Sequence, residues 1–455
     1  MGLGVLPALL LSCQGAPPAD VVRPPAAPVT TADTATPAPS PALQLGDTRP
    51  HNLLMISVDT LRTDHVGPRP DGSPSLTPFY DALAAQGLVL AAHHSCSSWT
   101  YPSVACAMAG RSGIDLGYIA PVSSTWDTMP ADVPFLPDWT AAAGYASAIA
   151  TGNTFLCSNI GIADTFDANS CMYLEPAAAL SAQGLAHLDD LIASQSPWFL
   201  HIHYMDPHSP YDPPQAYLEG LQDLPPAPVD LTTIDGTYSA RSVLPTLSEE
   251  EQASLLEHIR IRYEGEVRYF DDQLAVLWNE LQDRDALDDT LVVFWSDHGE
   301  QLFDRGAIGH GKTLHVEEND ATAMFWARGL EPGVWPGKTT HADLVPTLLD
   351  ALQLDMPPEV TGTVVGLRPA DAPVFGLLPR DGNGVYHAAM HDDLRLVYHW
   401  NTGDKALYRT TNDPGELTDT YDPEDPAVIE LWRWLEPEVW AATEVLDDRP
   451  VAVGP

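Results

Sequence analysis

Four short, largely apolar runs, each stopping at polar residues, set the strongest limit on how this chain folds. They are LLMISV before Asp59, YASAIA before Thr151, WFLHIHY before Met205 and TLVVFW before Ser296. Runs of this length suit strands covered on both faces, and the helical segments between them supply the covers. From His51 onward the alternation predicts an α/β fold with a mostly parallel sheet flanked by helices. In such a sheet the carboxyl ends share one edge, so residues hundreds of positions apart meet there.

The punctuation between the runs supports this layout. SLTPFYDALAAQG carries Thr77 as an N-cap, Pro78 at the first helical position and Gly87 as a C-terminal stop. DLVPTLLDALQL reads as a late helix with Leu344, Leu348 and Leu352 at four-residue spacing. Beyond about residue 366, VYHAAM, LRLVYHW and KALYRT predict a small antiparallel sheet, followed by an amphipathic helix around AVIELWRWL. Pro213 to Val243 reads as a loop with no legible code. The expected division is a main domain over 49–365 and a C-terminal subdomain over 366–455.

The first 48 residues read differently. Residues 1–13 hold an apolar run, Leu3 to Leu11, too short to span a bilayer and shaped like a secretory signal, although no Lys or Arg precedes it. Residues 14–48 are dominated by Pro, Ala and Thr, which predicts an extended tether. Export places Cys96, Cys106, Cys157 and Cys171 where disulfides form; pairing by proximity gives Cys96 with Cys106 and Cys157 with Cys171, and buried free thiols are the alternative.

Charge narrows the function. Only 21 Lys and Arg stand against 63 Asp and Glu, a net charge of -42. A basic groove for nucleic acid or an anionic membrane surface is excluded, and any anion must be drawn in by a local positive site. Asp59 follows its strand directly, and SDHGE puts Asp297 and His298 at the end of another. Two carboxylates and an imidazole suit an oxygen-favouring divalent cation, Ca²⁺, Mn²⁺ or Mg²⁺, although an Asp at a strand end also serves as a helix cap or loop anchor. Thr100, in SWTYPSVACAMAGR, enters a helix from Pro102 to Ala109 closed by Gly110. Capping is its ordinary use there; beside a cation its oxygen becomes a nucleophile for phosphorus or sulfur. His208 in HYMDPHSPYDPP, with His310 and Lys312 in GHGKTLH, supplies cationic groups at the same edge, or else these are structural loop residues.

Together, NLLMISVDTLRTDHVG, SLTPFYDALAAQGLVL, SWTYPSVACAMAGR, FWSDHGEQLFDRGAIGHGK, HADLVPTLLDAL and LYRTTNDPGELTDTYD resemble the sulfatase family of the alkaline phosphatase superfamily, over roughly His51 to Asp422. The resemblance implies an alkaline-phosphatase-like fold and a metal-dependent hydrolase of sulfuric or phosphoric esters. It makes Asp59, Asp297 and His298 metal ligands, Thr100 the nucleophile, and His208, His310 and Lys312 the groups that hold the anion and the leaving oxygen, with His208 and Lys312 binding substrate. Glu300 is implied as a support behind the ligands. Sulfatases carry a cysteine or serine that is oxidised to formylglycine; Thr100 departs from that, so no formylglycine is expected, and phospho-specific relatives with threonine nucleophiles become the alternative. Val104 stands where the motif has arginine, and Thr60 where it has a second acid. One divalent cation is implied, because MDPHSP lacks the spacing of a second metal set. An inactive lipoprotein that binds anions or glycans is the reading of another class. Leu10, Leu11, Ser12 and Cys13 also resemble the bacterial lipoprotein signal, so the only membrane contact expected is a lipid anchor at Cys13, in the cell envelope.

Overall fold

A computed structural model describes residues 43–45, 49–69, 71–117, 133–159, 161–369, 372–380 and 384–447. Cys13, the signal segment and most of the tether lie outside the described residues. The tether's residues 43–45 depart from the extended, solvated reading: Leu43 and Leu45 are buried, and Leu45 bridges Leu330. The Leu45 N–H donates to the Leu43 carbonyl at 2.8 Å, a tight turn at this point of the tether.

The main sheet is built from β1 (Asn52–Val58), β2 (Leu88–His94), β3 (Ala146–Thr151), β4 (Ala168–Cys171), β5 (Trp198–Tyr204) and β6 (Thr290–Ser296). After the short hairpin of β7 (Gln301–Leu302) and β8 (Ile308–Gly309) come β9 (Ala323–Trp326) and β10 (Gly333–Thr340). The order is β10-β2-β9-β6-β1-β5-β3-β4, and β9 runs antiparallel to both of its neighbours while the other pairings are parallel. All four apolar runs named above are strands of this sheet. Their side chains alternate between two cores. Leu53, Met55, Phe199 and Trp295 face α2 (Thr100–Ala109), α3 (Leu136–Ala142) and α8 (Leu344–Ala351). Leu54, Ile56, Leu200 and Phe294 face α1 (Pro78–Ala84), α4 (Ala177–Ser194) and the 35-residue α6 (Glu249–Asp283).

Several local signals resolve differently from their sequence reading. The Thr77 hydroxyl does not cap α1; it accepts the Gly67 N–H at 3.1 Å and donates to Asp81 at 3.2 Å. The N–H groups of Phe79 and Tyr80 are taken instead by the buried Asp271 carboxylate of α6, each at 2.8 Å, a tertiary partner that local sequence cannot reveal. The helix ends at Ala84, before Gly87. Gly87 answers to packing, because a Cβ there would lie 2.5 Å from the Phe325 carbonyl oxygen. Part of the supposed loop is helical: Thr233 accepts the Gly236 N–H and opens α5 (Ile234–Val243). The long α6 opens with a reciprocal Ser248–Glu251 capping box.

After α7 (Val316–Asn319), the C-terminal sheet has β11 (Val374–Arg380), β12 (Gly384–His391), β13 (Leu394–His399) and β14 (Asp404–Arg409) in antiparallel order. The first of these was not evident in VFGLLPR, where Pro379 disguises an edge strand. α9 (Pro426–Asp447) packs Val428, Leu431 and Leu435 on Ala389, Leu396 and Leu407. The cysteines form the proximity pairs Cys96–Cys106 and Cys157–Cys171. Replacing Asp271 with Ala leaves the first N–H groups of α1 buried without acceptors. Urea unfolding is expected to show a loss of about 1–3 kcal/mol; an unchanged midpoint would contradict the tertiary cap.

Candidate active site

Register brings the two acids together. β1 and β6 are neighbouring parallel strands with Val58 opposite Ser296, so Asp59 and Asp297 leave the sheet side by side. Both carboxylates are fully buried. Asp297 Oδ1 accepts the N–H groups of Thr60 at 3.1 Å and His298 at 2.8 Å. Thr60, standing in place of a second acid, has φ of 56°, an uncommon conformation for a β-branched residue, and so turns its N–H toward Asp297. Asp59 Oδ1 and Asp297 Oδ2 are buried without a protein hydrogen-bond partner.

His298 completes the group. Its Nδ1–H donates to the Gly299 carbonyl at 2.9 Å, which leaves the Nε2 lone pair on the side of the acids, 3.3 Å from Asp297 Oδ2 and 3.8 Å from Asp59 Oδ1. Burial, with the neighbouring His310, pushes the imidazole down to about 3 and keeps it neutral. Ligand atoms of Asp59, Asp297 and His298 lie within 4.8 Å of one another. Two carboxyl oxygens without a hydrogen-bond partner and one imidazole lone pair converge there, so the residues fit a divalent cation.

Thr100 is the first residue of α2, a helix buried along its whole length. Its hydroxyl caps no backbone N–H; it lies 3.4 Å from Asp59 Oδ2 and 3.3 Å from His298 Nε2. The helix is pinned beneath it by Ser103, which donates to the Asp297 carbonyl at 2.6 Å and meets His341 Nδ1 at 3.0 Å. Val104, in the arginine position, is fully buried in the core and contributes no charge.

The remaining candidates gather beside this cluster. The His310 ring lies 4.5 Å from His298 and 5.2 Å from His208, centroid to centroid. Its Nδ1–H donates to Glu300 Oε1 at 3.0 Å, so Glu300 supports an imidazole rather than the ion group. Lys312 donates to the His310 carbonyl at 3.2 Å, and its ammonium is 5.9 Å from the centre of the Tyr238 ring. The sequence reading missed Asn153. Its Nδ2–H donates to Asp59 Oδ2 at 2.7 Å and reaches Thr100 Oγ1 at 3.4 Å. Its Oδ1 accepts the Phe155 N–H at 2.9 Å, which fixes the direction of the amide. The one available signal was its place two residues past the strand ending at Thr151. A separate cavity of about 210 Å³ lies between the C-terminal sheet and the turn after α2, lined by Ile114, Phe375 and His387 among others; the ion group and Thr100 do not line it.

A sequence profile of the sulfatase family matches residues 51–354. The chain belongs to the sulfatase family. Choline-sulfatase of Rhizobium meliloti is 27% identical over 240 residues, 50% of this chain and 45% of that protein, so the match spans less than half of that sulfatase. The phosphonate monoester hydrolase SpPMH from Silicibacter pomeroyi has the same fold, with TM-score 0.67 and 21% identity over 87% of this chain and 96% of the other. A protein solved in complex with its substrate D-glucosamine-2-N,6-O-disulfate also gives TM-score 0.67, with 17% identity over 90% and 100% of the two chains. Sulfatases depend on a metal, and the fold is that of the alkaline phosphatase superfamily.

The electrostatics of the ion group predict its pH dependence. Burial and the adjacent Asp59 push the Asp297 carboxyl well above the usual range. Burial alone would raise Asp59 too, but His208, His203 and His298 hold it low. A bound cation favours ionised Asp297, so binding must expel a proton and tighten as pH rises. Mn²⁺ titration calorimetry between about pH 5 and about pH 8 is expected to show both effects. A dissociation constant unchanged over that range, with no proton released, would contradict this picture.

Proposed function

We propose that this protein is a metal-dependent hydrolase of sulfuric or phosphoric esters with Thr100 as its nucleophile. The observation that carries the reading is the Thr100 hydroxyl, 3.4 Å from Asp59 and 3.3 Å from His298, in a cluster suited to a cation. Asp59, Asp297 and His298 would hold one divalent ion, with Ca²⁺ or Mn²⁺ the leading candidates and Mg²⁺ the third. When bound, such an ion supplies Lewis acidity and lowers the pKa of a neighbouring hydroxyl.

The chain's own residues supply the rest. The Thr100 oxygen, its hydroxyl proton given up to solvent water, forms a bond to sulfur or phosphorus as the bond to the leaving oxygen breaks. Asn153 steadies the attacking oxygen through its amide N–H, 3.4 Å away. His310, oriented by Glu300, is placed to protonate the leaving oxygen, and His208 and Lys312 hold the anion. Water then cleaves the Thr100 ester and restores the hydroxyl.

The substrate is an anionic ester: a sulfated or phosphorylated small molecule, glycan or lipid. The sulfatase named for choline and the protein bound to glucosamine disulfate support this class. Threonine at the nucleophile position, with the phosphonate monoester hydrolase likeness, keeps phosphoric and phosphonic esters within it. Export, with a lipid anchor at Cys13, belongs to the same proposal and is supported by the two disulfides. Val104 in place of arginine favours a second reading, in which the same anions bind without turnover.

Thr100→Ala decides between them. Turnover of aryl sulfate, phosphodiester and phosphonate esters by the native protein should fall about a thousandfold or more in the variant, with ion binding retained. Equal turnover by both proteins would remove Thr100 from the chemistry. Binding of these esters with no product from either protein would establish the second reading.

A further inference from the structure

Behind the ion group, two neighbouring strands carry a buried chain of hydrogen bonds that the mechanism above does not use. Ser57 of β1 meets His201 Nε2 at 2.8 Å and His203 Nδ1 at 2.7 Å, both from β5. His203 Nε2 lies 3.5 Å from Asp59 Oδ2. All four side chains are completely buried, so each proton must be accounted for within the chain.

The possible wirings differ in where they leave a proton that has no hydrogen bond, because His201 Nδ1 and His203 Nε2 are both buried without one. A serine hydroxyl has one proton, so it donates to one imidazole and accepts from the other. If it donated to His201 Nε2, the proton of that neutral ring would sit on Nδ1, which has no partner. A buried N–H without an acceptor is the costlier defect. The opposite wiring leaves a lone pair on His201 Nδ1 and places the other loosely held proton on His203 Nε2, 3.5 Å from a carboxylate oxygen: His201 Nε2–H donates to Ser57, and Ser57 donates to His203 Nδ1. His203 then carries its proton on Nε2, facing the Asp59 carboxylate. The other His203 tautomer would set a nitrogen lone pair against a carboxylate oxygen.

From this wiring we infer that His203 is a positioning residue for Asp59, with its tautomer set by Ser57. Asp59 Oδ2 is held from two sides, by the Asn153 amide at 2.7 Å and by His203 at 3.5 Å. Both contacts fall on Oδ2, and the other oxygen, Oδ1, is the one left for the ion. His203 stands outside the three-residue ion group. It acts through Asp59. The inference rests on Asp59 as an ion ligand and is independent of Thr100 as nucleophile.

The test is the affinity of the full-length protein for Mn²⁺ alone, measured by titration calorimetry on native protein and on variants whose circular dichroism matches it. His203→Phe should weaken binding about 10- to 100-fold. His203→Gln, whose amide can still donate to Asp59, should recover most of that loss. Ser57→Ala leaves the ring in place and frees its tautomer, so its affinity should fall between native and His203→Phe. Native affinity in His203→Phe or in Ser57→Ala would overturn the inference. So would a His203→Gln defect as large as that of Phe, which would make the imidazole itself a ligand. A Thr100→Ala protein that still turns over ester would sink the proposed nucleophile and leave this result untouched.

Discussion

Two acidic side chains placed side by side in the protein interior, where both cannot readily be charged at once, are the constraint around which this molecule is arranged. Asp59 and Asp297 are adjacent because their strands are neighbours in register, and both are fully buried. An uncompensated buried charge costs several kcal/mol, and a second of the same sign adds to it. The fold partly relieves this with N–H donors: Thr60 and His298 serve Asp297, and Asn153 serves Asp59. These donors occupy one oxygen of each acid. The other oxygen of each remains unpaired beside the His298 lone pair, an arrangement that a divalent cation satisfies at once.

The His310–Lys312 side of the site depends on contacts from far along the chain. Glu318 Oε2 accepts the Lys312 N–H at 2.8 Å and Oε1 accepts the Thr313 hydroxyl at 3.0 Å, closing the loop. Arg395, buried in the C-terminal sheet, donates to the Leu314 carbonyl at 2.7 Å and pairs with Asp320 and Glu416. Glu416 in turn accepts from His315 Nδ1 at 2.9 Å and the Val316 N–H at 3.2 Å. The small sheet therefore fastens the loop that carries the candidate anion-binding lysine. Arg62, two residues past Thr60, bonds the Glu300 carbonyl and Asp304 from the opposite side.

What was legible in the sequence follows from the range of each interaction. Strand runs and the residues ending them are local facts, so the parallel sheet and its shared edge with Asp59, Asp297 and His298 could be read directly, whereas Thr100 joined them only through the resemblance to the sulfatase family. Ser248 and Glu251 also carried a readable capping signal that went unread for the long helix. Thr77 misled because its cap was taken by Asp271, 194 positions away in sequence, and no local pattern records that. Asn153, His203 and Ser57 are ordinary strand or loop residues until register is known. His203 in particular lies inside WFLHIHY, where a strand pattern explains it without any chemistry. Val104 reads as a loss beside the family motif and, in place, is simply core.

The central claim is that one cation sits between Asp59, Asp297 and His298, touching the oxygen of Thr100. A crystal structure with Mn²⁺, phased by anomalous scattering at the manganese edge, tests it most directly. The account predicts one strong peak per chain at coordination distance, about 2.0–2.6 Å, from the free oxygens of both acids and from His298 Nε2. An anomalous map with no peak in that cavity, or with manganese held elsewhere by other side chains, would contradict it.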